Sequence, residues 1–279
     1  MSFYELTTTP EWNAISLESK LTMQLCSSGL TDIGRANYAE GKGYYYTALF
    51  ALSIGIERLC KLVICFDVYE DNLVFPSQKD FRAYGHKIND LLAKVEEIRN
   101  RRGVRSYSLP RRPISGAIIS QLDEFADAGR GRYANFMRLT DSAAVQYEPV
   151  RGWYKNVGLE ILRLHFEGSS KQEKAEAWAY ALQGTVGESS LVRHTHESGD
   201  PIETIGEASF RSAENKVMQK YGRFYSFEIV RYVSSVFKEL SRERGYQDGG
   251  RLWFGHYEHF NTFTVQDSYG LNRKRWPLR

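Results

Sequence analysis

Apolar residues recur at helical spacing along most of the chain, and two stretches show the pattern most clearly. Within residues 44–66, YYYTALFALSIGIERLCKLVICF, Leu52, Ile56, Leu59, Val63 and Phe66 can share one buried face. Ile88, Leu91, Leu92, Val95 and Ile98 repeat the pattern in HKINDLLAKVEEIR, residues 86–99, an amphipathic helix. Thr9-Pro10-Glu11 reads as an N-cap, a proline at the first helical position and an early acid, opening a helix that runs to Gly29. A second helical region starts near Asp32, with Gly41 and Gly43 interrupting it ahead of the 44–66 segment. Phe75-Pro76-Ser77 breaks the chain and makes Ser77 the cap of a short turn. Pro113 opens a helix through Phe125, and residues 129–141 suggest a turn and a short helix. Further helices are expected over 152–166, 171–184, 204–220 and 223–244, with a polar loop at 185–203. Beyond Gly245 the sequence LWFGHYEHFNTFTV predicts an extended segment or hairpin. The expected fold class is all-α, a helical bundle with a short extended aromatic segment at its C-terminal end.

Charge changes the picture of the 44–66 helix. Glu57, Arg58 and Lys61 sit inside its apolar run, and an unpaired buried charge costs several kcal/mol. Glu57 precedes Lys61 by four residues, the favourable order for an intrahelical ion pair, so the expected arrangement is a core helix with an ion-paired edge. Three charges within the segment also interrupt it too often for a membrane helix.

The 279 residues can bury an ample core, and 37 Lys and Arg against 34 Asp and Glu give a formal charge of +3, so global charge demands no polyanionic partner. With 18 Tyr and 15 Phe the chain suits a packed globule and carries many stacking groups. Cys26, Cys60 and Cys65 fit no zinc spacing and read as reduced core thiols. The opening MSFYELTTTPEW has no basic region followed by an apolar run, so no secretory signal and a cytoplasmic location are expected.

Local clustering is more informative than the total. Residues 99–112, RNRRGVRSYSLPRR, hold Arg99, Arg101, Arg102, Arg105, Arg111 and Arg112 around Tyr107. Guanidiniums can fork onto phosphates while a tyrosine stacks on a base, which makes these seven residues candidates for nucleic-acid binding. The competing reading is a solvated loop balanced by acids elsewhere, or one that docks an acidic protein. Arg193-His194-Thr195-His196-Glu197 and Asp200 include metal-capable groups, but no third ligand is fixed by spacing and no metal site is assigned. Arg251 and His256, with His259 nearby, can join a cation to a proton-transfer group for phosphodiester cleavage; the competing reading is an aromatic segment whose histidines are satisfied by packing. No phosphate-binding loop, nucleophile elbow or His-Glu-x-x-His motif is present, and no cofactor is expected.

Two segments together resemble the HEPN superfamily (higher eukaryotes and prokaryotes nucleotide-binding domain). GIERLCKLVI is similar to its acid–lysine helix, here Glu57 and Lys61, and GHKINDLL to a second helix, here His86 with Ile88, Leu91 and Leu92. GRYANF resembles an Arg-Tyr-Pro turn, matching at Arg132 and Tyr133 and departing at Ala134, while RFYSFEIVRYVSSVFKEL looks like the closing helix. The resemblance divides the chain into an N-terminal helical segment (1–35), a HEPN-like domain (36–245) with an insertion at about 146–220, and an aromatic C-terminal segment (246–279). It implies a homodimeric helical bundle that binds or cleaves RNA, in antiviral defence or beside an antitoxin. Relatives that cleave do so without metal, through an Arg followed after four to six residues by a His. The helix at 223–244 has no histidine, so only Arg251 and His256 have that spacing here. Other relatives are non-catalytic modules binding a nucleotide or a protein.

Overall fold

The computed structural model describes residues 9–127, 136, 139, 148–247 and 249–278. The described residues form ten α-helices: α1 (Pro10–Ile33), α2 (Lys42–Asn72), α3 (Gln78–Ala83), α4 (Ile88–Arg101), α5 (Pro113–Ala126), α6 (Pro149–Trp153), α7 (Leu159–His165), α8 (Ser170–Val186), α9 (Ile205–Gly245) and α10 (Asp267–Asn272). Their only strand pairing is a short antiparallel hairpin, β1 (His194–Thr195) with β2 (Pro201–Ile202). The fold is all-α. No helix among the described residues is long and apolar enough to cross a membrane.

Local chemistry explains the helix ends. Thr9 accepts a hydrogen bond from the Trp12 amide at 3.2 Å and Pro10 follows it, so α1 starts where the cap signal lies. It continues past Gly29 to Ile33 because Gly29 is an interhelical contact rather than a stop; a side-chain carbon there would lie 2.6 Å from Leu52 Cγ. Gly55 is the reciprocal notch, where added carbon would come within 2.9 Å of Cys26 Sγ. Residue 29 thus meets 52, 26 meets 55, and Glu18 meets Arg58, so α1 and α2 run antiparallel. Gly41 lies just before α2, Leu73 ends it in the left-handed region, and Ser77 closes a capping box with Asp80 to start α3. The α4 start has no side-chain cap of its own, and Asp123 of α5 accepts from the Ile88 amide instead.

Three expectations are corrected. No second helix starts near Asp32: residues 34–41 are not helical, and Gly43 lies inside α2. The helices expected at 204–220 and 223–244 are one 41-residue helix, α9, because Gly222 is buried against Trp153 and Ile161 and the chain has no reason to break there. Nor do residues 252–265 extend: Arg251–Trp253 and His256–Phe260 are 3₁₀ turns, with Gly255 at φ 88° between them. Trp253, Phe260 and Phe263 are all buried, Trp253 on Phe66 and Phe260 on Phe237, so packing sets this backbone and not alternation.

One buried cluster runs from Ile15 on α1 to Trp276 in the C-terminal tail, with α2 and α9 at its centre. The tail is tied down on α1: Trp12 Nε1 donates to Phe254 O at 3.0 Å, and the Trp276 amide donates to Thr31 Oγ1 at 2.9 Å. The end of α1, the middle of α9 and the last residues of the chain are thereby brought side by side.

Candidate functional site

The arginine segment is largely neutralised within the fold. Arg102 forks onto α2, with Nε 2.8 Å from Asp67 Oδ1 and Nη2 2.6 Å from Asp71 Oδ1, and Arg101 pairs with the same two carboxylates. Arg99 faces Glu96 at 3.4 Å and Arg111 faces it at 3.7 Å, while Arg112 pairs with Glu228 and lies over the Tyr225 ring. Arg105 alone is exposed with no ion pair among the described residues. Tyr107 is docked on α9 through its amide and Ser235 Oγ, and the Arg231 guanidinium covers one ring face at 4.3 Å. Five of the six arginines are therefore held by carboxylates, and the main work of the segment is to clamp α4 and α5 onto α2 and α9.

Arg251 and His256 do not share an open surface. Arg251 is exposed at the start of its turn, whereas His256 is fully buried, with Nε2 3.0 Å from Leu252 O and its ring 4.9 Å from that of Trp12. Burial pushes its pKa down to about 4, so the imidazole is neutral and packed. His196 is another buried histidine. It sits just past β1, 3.3 Å from Glu197, whose carboxylate accepts from Tyr45 at 3.0 Å; His194 is exposed.

Glu57 and Lys61 of one sequence segment and His86 of another do converge. Glu57 Oε1 lies 2.8 Å from Lys61 Nζ and 3.0 Å from His86 Nδ1. Arg58 completes the charged edge with a two-bond pair to Glu18 at 2.6 and 2.7 Å. These pairs rim a cleft of about 530 Å³ whose apolar lining includes Ile15, Leu62, Phe75 and Phe81. Arg132 and Tyr133 lie outside the described residues.

Among the described residues, cations with few acids near them gather elsewhere, in a groove of about 520 Å³ where α1, α9 and the C-terminal tail meet. Lys216, Gln219, Lys220 and Arg223 line it from one face of α9, at spacings of three and four residues. Gly34 and Arg35 contribute from the end of α1, Leu271 and Asn272 from α10, and Lys274 and Arg275 from the tail. This lining holds six cationic side chains and, among the described residues, no carboxylate and no imidazole. The nearest acid in ion-pair range is Asp32, 4.0 Å from Arg35, and Lys216, Lys274 and Arg275 have no ion pair among the described residues.

The groove is firmly built. Trp276 stacks on Phe227 at 4.8 Å, which holds Lys274 and Arg275 over α9. Gly270 lets α10 lie directly on the Phe227 ring, and Arg273 lies over Trp276 at 4.9 Å. Arg223 forms the floor. It is 4 % exposed, and among the described residues its Nε has no hydrogen-bond partner and its one hydrogen bond is Nη2 to Leu271 O at 3.5 Å. Burial lowers its pKa, yet a guanidinium stays charged, so the floor carries a positive charge with no counter-ion among the described residues.

Sequence reasoning missed this site because its cations come from three distant places. Lys216, Lys220 and Arg223 were visible as a basic helical stripe, but nothing local brings Arg35, Lys274 and Arg275 to it. No protein-family model, curated protein or solved structure matches the chain.

Proposed function

We propose that this protein binds RNA through its phosphates, along the groove between α1, α9 and the C-terminal tail. The observation that carries the reading is the lining: six cationic side chains and, among the described residues, no lining carboxylate, with Asp32 at 4.0 Å from Arg35 the one acid in ion-pair range. Such a surface attracts a polyanion by charge and by release of its counterions. The choice of RNA draws on the resemblance to the HEPN superfamily, whose two segments touch here through His86 and Glu57. A HEPN-like bundle, a homodimer and a role in antiviral defence or beside an antitoxin rest on that resemblance alone.

Binding is favoured over cleavage. An imidazole that shuttles protons must reach the scissile phosphate, and among the described residues none lines the groove, while His256 is fully buried. The test is fluorescence anisotropy with a labelled single-stranded RNA. Reversing Lys216, Lys274 and Arg275 to Glu should weaken binding by about a hundredfold at moderate salt. Reversing Arg105 and Arg111 should change it by less than about threefold, because neither side chain lines the groove. Equal binding by the groove variant and the parent would overturn the reading, and cleavage of the RNA that is abolished by His256→Ala would restore the catalytic one.

A further inference from the structure

Resting on that reading, we propose that the groove is end-selective: it seats a terminal phosphomonoester of a nucleic acid or nucleotide on Arg223, in preference to an internal phosphodiester. Two observations beyond overall charge point there. The first is the depth of Arg223. Its guanidinium is 4 % exposed at the groove floor, and a side-chain carbon at Gly34 would lie 2.5 Å from Nη1, so α1 closes over it tightly. An internal phosphate carries an esterified sugar on both sides, and both would have to descend with it. A terminal phosphate has one ester bond and can enter end-on.

The second observation is the unanswered charge. Among the described residues Arg223 Nε has no partner and Nη2 makes only the 3.5 Å contact with Leu271 O, so most of the guanidinium's donor capacity is unspent. A buried cation without a counter-ion is unfavourable, and an anion that reaches it removes that penalty. A phosphomonoester brings about −1.5 to −2 charges at neutral pH, against −1 for a diester. It also offers three oxygens for charge-assisted hydrogen bonds, to which the Arg223 fork is geometrically matched. Lys220, half-buried on the same face of α9 one turn away, and Arg35 at the end of α1 stand above the floor to flank the same phosphate. Lys216, Lys274 and Arg275 are exposed and suit the following diesters of a strand.

The test compares one single-stranded RNA sequence carrying a 5′-phosphate, a 3′-phosphate or hydroxyls at both ends, with the full chain, by anisotropy at fixed salt. A phosphate at one end should raise affinity by about tenfold over the hydroxyl-ended strand. In Arg223→Gln the phosphate-ended and hydroxyl-ended strands should bind alike, whatever the change in overall affinity. Because Arg223 is buried, the variant is checked by thermal melting, and the end comparison on the parent protein stands whether or not the variant folds. Mononucleotide and inorganic phosphate, titrated as competitors, separate the sources: displacement of the phosphorylated strand by mononucleotide alone marks a nucleotide pocket, and displacement by neither marks an RNA-end pocket, each with the end preference intact. If all three strands bind equally, the end-selective site is lost and RNA binding stands. Should none of them bind, RNA binding itself is wrong.

Discussion

The histidines show how burial decides what a residue can do. His256 had the right spacing from Arg251 for phosphodiester chemistry, yet its ring lies against Trp12 with Nδ1 unpartnered and Nε2 on Leu252 O. Its folded-state pKa is pushed down to about 4, against about 6.5 for an unfolded chain. Between those values the unfolded state takes up the proton and the folded state does not. His256 therefore opposes folding increasingly as pH falls from about 6.5 towards 4, by up to about 1.4 kcal/mol per pH unit, and has no such effect above 6.5. Urea unfolding of the parent and of His256→Phe across that window should show a shallower pH slope in the variant. Identical slopes would mean that the imidazole is protonated in the fold. The arginines teach the converse: Asp67 is 5 % exposed and answered by both Arg101 and Arg102. Removing both guanidiniums leaves a buried carboxylate alone, so the Arg101→Ala, Arg102→Ala double variant should lose about 3 kcal/mol of stability in urea. If folded, it should still bind RNA, because neither residue lines the groove.

At the scale of elements, the close approach of α1 and α2 depends on missing side chains. Added carbon at Gly55 would sit 2.9 Å from Cys26 Sγ and 3.1 Å from the Cys26 amide nitrogen, and the backbone atom cannot move aside alone. Gly55→Val should therefore destabilise the protein by about 1–3 kcal/mol, seen as a lower melting temperature; an unchanged melt would show that the helices separate freely. The helices themselves were legible in the sequence, since caps such as Thr9 and Ser77 and the apolar faces of α2 and α4 are written in residues three or four apart. What was not legible depends on contacts between distant residues. Whether Gly29 ends α1 or notches it is settled by Leu52, and whether residues 252–265 extend or curl is settled by where Trp253, Phe260 and Phe263 find partners. The candidate site failed for the same reason. The compact run at 99–112 stands out because its charges adjoin in sequence, and the same closeness to the acids of α2 is what neutralises it.

For the whole molecule, a net charge of +3 provides little long-range attraction, so affinity for a polyanion must come from where the charge is concentrated. The groove gathers six cations, of which Arg223 is buried and five stand at or near its surface. A single strand that meets about four of them should show log K falling with log salt at a slope of about −3, because each phosphate neutralised releases roughly 0.7 of a counterion. Lys274→Gln and Arg275→Gln together should bring that slope towards about −1.5 and weaken binding most at low salt. The same substitutions at Arg105 and Arg111 should leave the slope unchanged, since neither side chain lines the groove. Slope is a sharper measure than affinity here: a variant that merely loosens the fold lowers binding at every salt concentration alike, whereas a phosphate left without its cation tilts the line. A parent slope near zero would mean that the groove's charges meet no phosphates, and that its cations serve some other anion.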